Sequence, residues 1–260
     1  MLSLRAVKFW FDGALGSRGA ALDAPYADDS TQTGLLLIPA VELEAKVKAF
    51  MQRGFQVAIH AIGDRANRLA LDLLSRAAEG SAKGGRHRIE HAQILHREDI
   101  PRFGKLGIIA SMQPTHATSD MRWAEARLGK ERSGGAYVWN SLMRSGAVLA
   151  FGSDFPVEGA NPLLGIYAAR TRQDAGGEPV GGWMPEERLT AEDAVRAFTW
   201  GPAYAAFAET RRGTLKPGFD ADFVALSVDP VEAPARELLS GKALLTVVGG
   251  RVVFDGRERR

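Results

Sequence analysis

The 260-residue chain reads as an α/β protein, a partial (β/α)8-type barrel followed by a small β appendage. Three observations lead there. Strand-like and helix-like segments alternate over most of the length, which favours a parallel sheet wrapped by helices. Apolar runs end abruptly on polar residues: His60 closes Phe55-Gln56-Val57-Ala58-Ile59, His91 closes Arg88-Ile89-Glu90, and Asp154 follows Val148-Leu149-Ala150-Phe151-Gly152-Ser153. From Gly213 onward the pattern changes to short β-branched runs separated by Gly, Pro and Asp turns. The expected division is a barrel-type domain over 1–207 and a small β segment over 208–260.

The elements follow in order. A first strand over 4–11 leads into a Gly-rich loop through Gly13, Gly16 and Gly19. Pro39 stands near the start of a helix over 41–54, whose Val47, Phe50 and Met51 share a face. A strand over 55–60 comes next, then a helix over 65–79 with the stripe Leu69, Leu73, Leu74 and a Gly/Ser/Lys linker at 80–86. Further strands are expected at 87–91, 108–113 and 147–152, with helices near 98–106 and 138–145. Residues 114–123, with Pro114, His116, Asp120, Met121, Arg122 and Trp123, read as a polar and aromatic loop. The Gly/Pro-rich segment around 176–185 is expected to carry specificity. Thr190 caps a helix with acids in its first turn. Strand runs at 222–226 and 245–254 close the chain.

Composition narrows the function classes. Hydrophobic residues make up 45% and charged residues 25%, ordinary for a globular chain able to build a substantial core. A net charge of +2, with arginines crowded at 257–260, leaves no nucleic-acid or membrane footprint. No apolar run approaches the roughly 18–20 residues that span a bilayer, and the start lacks a signal-peptide pattern, so a cytoplasmic location is expected. With no cysteine, a metal must be held by imidazole, carboxylate or modified lysine.

In a parallel barrel the C-terminal ends of all strands surround one mouth, so His60, His91 and Asp154 are candidates for one metal site despite their separation in sequence. Lys8, in Ala6-Val7-Lys8-Phe9-Trp10-Phe11, is a fourth polar intrusion. Single residues have blander readings: Asp154 also suits a turn with Phe155-Pro156, and Asp64 a helix cap. His116 is either a substrate contact or a surface histidine. His87 and His96 read as solvated or structural. Arg18, Trp123 and Tyr26 shape a pocket or serve the core or surface.

Together, Val7 to Arg18, Val57-Ala58-Ile59-His60-Ala61-Ile62-Gly63-Asp64, Arg88-Ile89-Glu90-His91-Ala92-Gln93, Ser111-Met112-Gln113-Pro114-Thr115-His116 and Phe151-Gly152-Ser153-Asp154-Phe155-Pro156 closely resemble the amidohydrolase superfamily. The branch resembled is that of N-substituted formamide deformylase, and Gly213-Thr214-Leu215-Lys216-Pro217-Gly218 to Val224 resembles the family's return from barrel to sandwich.

The resemblance implies a TIM-type barrel of which this chain holds about strands four to eight. It also implies one or two divalent metals, commonly zinc, and hydrolysis of amide or formamide carbon–nitrogen bonds. Lys8 matches the often carboxylated fourth-strand lysine, His60 and His91 the fifth- and sixth-strand histidines, and Asp154 the eighth-strand aspartate that shuttles the proton. His116, Arg18 and Trp123 are the substrate-binding candidates. The family's first-strand His-X-His pair has no counterpart, so the chain reads as N-terminally truncated, with at most one well-formed metal site. The expected partner is a small-molecule substrate, with self-association or a complementing N-terminal chain covering the open sheet edge. A non-catalytic scaffold, or one half of a split enzyme, is the competing expectation.

Overall fold

A computed structural model describes residues 4–78 and 84–256. Most of the 80–86 linker and the arginines at 257–260 lie outside the described residues. Two compact units emerge, Met1–Met112 with Ser119–Leu149, and Gln113–Thr118 with Ala150–Arg260.

Five strands, β1 (Ala6–Trp10), β2 (Gln56–Ala61), β3 (Arg88–His91), β4 (Ile109–Met112) and β5 (Leu149–Phe151), form one sheet in the order of the sequence. β1 to β4 pair in parallel. The sheet is thus the expected parallel one, with five strands rather than the eight of a closed barrel.

Register sorts its two faces. Lys8 lies opposite Ala58, Trp10 opposite His60, His60 opposite Glu90, and Glu90 opposite Ser111. Partners in register share a face, so Lys8, Trp10, His60, Arg88, Glu90 and Ser111 define a polar one. Arg88 there pairs with Glu90 at 2.5 Å and donates to Gln56 Oε1 at 2.6 Å.

The alternate residues Phe9, Val57, Ile59, Ile89 and Ala110 form the apolar face. Helices α1 (Ala40–Gln52) and α2 (Asp64–Ala78) pack on β2 and on each other. α1 buries Leu43, Val47 and Met51, and α2 buries Leu71, Leu73 and Leu74. Each such fully buried aliphatic side chain contributes about 1.5–3 kcal/mol over the exposed state. Phe50 of α1 meets Phe9, ring centroids 6.0 Å apart. α3 (Ile100–Leu106) is anchored by buried Phe103 and ends on Gly107 in the left-handed conformation.

Gly63, just before α2, is needed for close approach. A Cβ there would stand 2.0 Å from the carbonyl oxygen of Ala21. Gly63→Ala is therefore expected to cost about 3 kcal/mol through forced backbone displacement, read as a lowered urea midpoint.

Residues 114–123 correct the sequence reading. They open α4 (Pro114–Ser133), whose helical geometry breaks at Gly129. Pro114 occupies the first helical position, where its missing N–H costs nothing, and Ala, Arg, Glu and Leu continue the helix. α5 (Trp139–Arg144) lies within the expected helix at 138–145.

In the second unit, α6 (Pro162–Thr171) starts at Asn161, whose side chain accepts the Leu163 N–H. α7 (Ala191–Phe198) starts at Thr190, whose hydroxyl accepts the Asp193 N–H at 3.1 Å. α8 (Trp200–Ala205) precedes an antiparallel sheet of β6 (Phe223–Leu226), β7 (Ala243–Val248) and β8 (Arg251–Asp255). The run expected as one strand over 245–254 is two strands of a hairpin. Gly249 and Gly250 both take positive φ, 57° and 75°, as a tight two-residue hairpin turn requires. No helix among the described residues is long and apolar enough to cross a membrane.

Candidate metal and hydrolytic site

His60 sits one residue from the end of β2, on a strand buried throughout. Its ring stands edge-on to that of His91 with centroids 4.6 Å apart. Alternation alone would not bring them together, because His91 is in register with Ala61 rather than with His60. The difference lies in the backbone: His91 and Ala92 have φ of 76° and 45°. Left-handed geometry at consecutive residues with side chains costs about 1–2 kcal/mol each, and such strain persists where surrounding structure enforces it, often at functional sites.

His60 Nε2 is buried and has no hydrogen-bond partner among the described residues. Its nearest charged neighbour is Asp12 Oδ1 at 3.4 Å. Asp12 closes β1 much as His60 closes β2, and its side chain is wholly buried. Its Oδ1 accepts the Ile62 N–H, and its Oδ2 accepts those of Ala21 and Gly63, at 2.8–3.0 Å. Asp12 thereby fixes the Gly-rich loop to the end of β2. It was not among the sequence candidates, although a polar residue ending an apolar run was the available signal.

Asn67 of α2, also buried, plays a similar part. Its amide nitrogen lies within 3.2 Å of the carbonyl oxygens of Ala61, Ile62, Gly63 and Ile94. The chain after His60 and the chain after His91 are thus held by one side chain. Spacing along a helix gave no warning of it, because the acceptors belong to two segments far apart in sequence.

Lys8 shares the polar sheet face with His60, yet the apolar stretch around it does not bury it. The residue is exposed, with its ammonium 5.0 Å from the Trp10 ring centre. β1 is an end strand of the sheet, so no other described strand pairs with its outer edge. Arg18 is held by Asp28 through two hydrogen bonds of 3.1 and 3.0 Å. Arg127 bonds the same carboxylate and lies over the Trp123 ring, whose edge packs on Gly16. Arg18 and Trp123 therefore belong to one cluster that braces the Gly-rich loop. Tyr26 is buried and donates its hydroxyl to the Ala20 carbonyl.

In the second unit, Asp154 is exposed just beyond β5, in the left-handed conformation with φ 57°. Its carbonyl accepts the Val157 N–H, so the expected turn with Phe155-Pro156 forms and leaves the carboxylate available. His116 is 7% exposed, which removes the surface reading. Burial pulls its pKa below the ordinary 6.5, opposed by the negative charges of Asp154 and Glu158.

His87 is structural. The Val57 N–H donates to its Nδ1 at 3.0 Å, and burial lowers its pKa from the ordinary 6.5. A proton on Nδ1 would destroy that acceptor. Because the folded pKa is depressed, stability is complete above about pH 6.5 and is lost as pH falls below it toward the folded value. His87→Asn, which keeps an acceptor in place of Nδ1, is expected to flatten the fall in urea midpoint between pH ~7.5 and ~5.

The family model described as the amidohydrolase family matches residues 1–254. The chain belongs to the amidohydrolase family. Protein LONG AFTER FAR-RED 3 of Arabidopsis thaliana is 40% identical over 255 residues, 97% of this chain and 43% of that protein. Putative amidohydrolase YtcJ of Bacillus subtilis (strain 168) is 36% identical over 251 residues, 96% of this chain and 47% of that protein. N-substituted formamide deformylase of Arthrobacter pascens is 26% identical over 254 residues, 96% and 45% of the two chains. Among solved structures, an uncharacterized metal-dependent hydrolase from Pyrococcus horikoshii OT3 aligns with a TM-score of 0.79 at 34% identity, covering 89% of this chain and 46% of that one. This amidohydrolase chain thus spans less than half the length of the curated relatives it matches.

Proposed function

We propose that the chain carries the metal-binding half of an amidohydrolase that hydrolyses non-peptide carbon–nitrogen bonds, an amide or a formamide. The observation that carries this reading is His60: a buried imidazole nitrogen without a hydrogen-bond partner, beside a second imidazole held in a strained backbone. Nitrogen and oxygen donors without a thiolate fit a divalent ion such as zinc. His60, His91 and Asp154 would hold it, with carboxylated Lys8 as the fourth ligand.

Such an ion, when bound, polarises a carbonyl and makes water acidic enough to react near neutral pH. The side chains do the rest. Asp154 takes the proton of the attacking water on its carboxylate and passes it to the leaving nitrogen, and Asp12 and Asn67 hold the chain that follows His60 and His91. His116, neutral through burial, faces substrate. The 1–207 segment would belong to a (β/α)8 barrel and 208–260 to a sandwich, whose second sheet would cover the exposed Val224, Val252 and Val253.

Dialysis against a chelator is expected to abolish hydrolysis of an N-substituted formamide, and one equivalent of zinc to restore it. Metal-independent turnover would contradict the reading. A second reading has its own observation: the five histidines, 60, 87, 91, 96 and 116, include no His-X-His pair. The chain would then be a scaffold, or half of a split enzyme. Zinc binding without turnover would favour the scaffold, and turnover appearing only with a separate N-terminal chain would favour the split enzyme.

A further inference from the structure

Away from His60 and His91, three other side chains of the first unit converge. Asp23 comes from the loop between β1 and α1, Asp64 is the first residue of α2, and His96 lies between β3 and α3. One ligand atom from each lies within 4.8 Å of the other two. His96 Nε2 is 2.7 Å from Asp23 Oδ2 and 3.9 Å from Asp64 Oδ2.

Asp64 makes the cluster more than an accident of the surface. Its side chain is 2% exposed, and its two oxygens differ. Oδ1 accepts the N–H groups of Arg65 and Asp23 at 2.7 and 2.9 Å. Oδ2 accepts no hydrogen bond among the described residues and points toward the imidazole. A second carboxylate, that of Asp23, close to this oxygen adds repulsion that a cation would relieve.

Arg68 also ion-pairs with this cluster. It stands 3.9 Å from Asp23, and its other nitrogens are bound to Asp99 at 2.8 Å and Glu98 at 2.5 Å. Arg68 thus divides its charge among three carboxylates.

We propose that Asp23, Asp64 and His96 form a second divalent-cation site, distinct from the one assigned to His60 and His91. Two carboxylate oxygens and one imidazole nitrogen suit a borderline ion such as zinc, cobalt or manganese, with water completing the shell. The partly exposed Asp23 and His96 move apart by a fraction of an ångström to admit it. The ion ties the Gly-rich loop to the start of α2 and to the chain after β3, a structural clip rather than a catalytic centre.

The test is a Co(II) titration of the full chain carrying His60→Ala and His91→Ala, which removes the first site, followed by visible absorption. One equivalent should bind and raise the melting temperature. His96→Ala or Asp23→Asn in that background should weaken binding by about tenfold or more. Both leave the backbone bonds to Asp64 intact. Should the double variant not fold, the same two substitutions in the otherwise unchanged chain should each remove one equivalent of bound cobalt. Absence of saturable binding in the folded double variant, or binding indifferent to His96→Ala and Asp23→Asn, would overturn the proposal.

Discussion

Asp154→Asn is expected to lower formamide turnover by roughly 10²–10⁴-fold, the usual contribution of a positioned acid–base group. The substitution preserves shape and removes proton affinity. It also suits the backbone, since asparagine tolerates the left-handed conformation that Asp154 adopts at φ 57°. Because the residue is exposed and its turn is closed by a main-chain bond, stability should change little. Steady-state kinetics on chain of matched melting temperature makes the comparison. Unchanged turnover would remove Asp154 from the proton path.

Asp12→Ala should have the largest effect on stability. The side chain is buried and receives three backbone N–H groups from two segments far apart in sequence. Hydrogen bonds to a charged group contribute about 1.5–3 kcal/mol each, though not additively, and buried donors left unpaired add a penalty. A loss of about 4 kcal/mol or more is expected, a large part of the 5–15 kcal/mol that holds a typical domain together. Asp12→Asn should cost less. Its oxygen can serve Ala21 and Gly63, while its NH2 would face the Ile62 N–H. Urea unfolding separates the two, and a midpoint unmoved by Asp12→Ala would show that the loop holds without it.

The strands were legible because their apolar runs are short and bounded, and the strand-end histidines because each interrupts such a run. The approach of His60 to His91 followed from both standing at the C-terminal ends of neighbouring parallel strands. The positive φ at His91 was not legible, because no residue type there announces it. α4 was hidden by Pro114, which was read as part of a loop although it also begins helices. The tail hairpin was hidden by reading through Gly249-Gly250. Asp23, Asp64 and His96 lie on three separate segments, so their convergence is a property of topology rather than of spacing. The exposure of Lys8 was not legible for a similar reason: an apolar strand says nothing about whether another strand lies beside it.

Metal content per chain, measured by inductively coupled plasma mass spectrometry on protein purified without chelators or added metal, tests the hydrolytic site most directly. Comparison of the unaltered chain with the His60→Ala, His91→Ala double variant isolates that site from any other. A difference of about one divalent ion per folded chain is predicted. Equal metal content in both, with both folded, would contradict a metal centre at the strand ends.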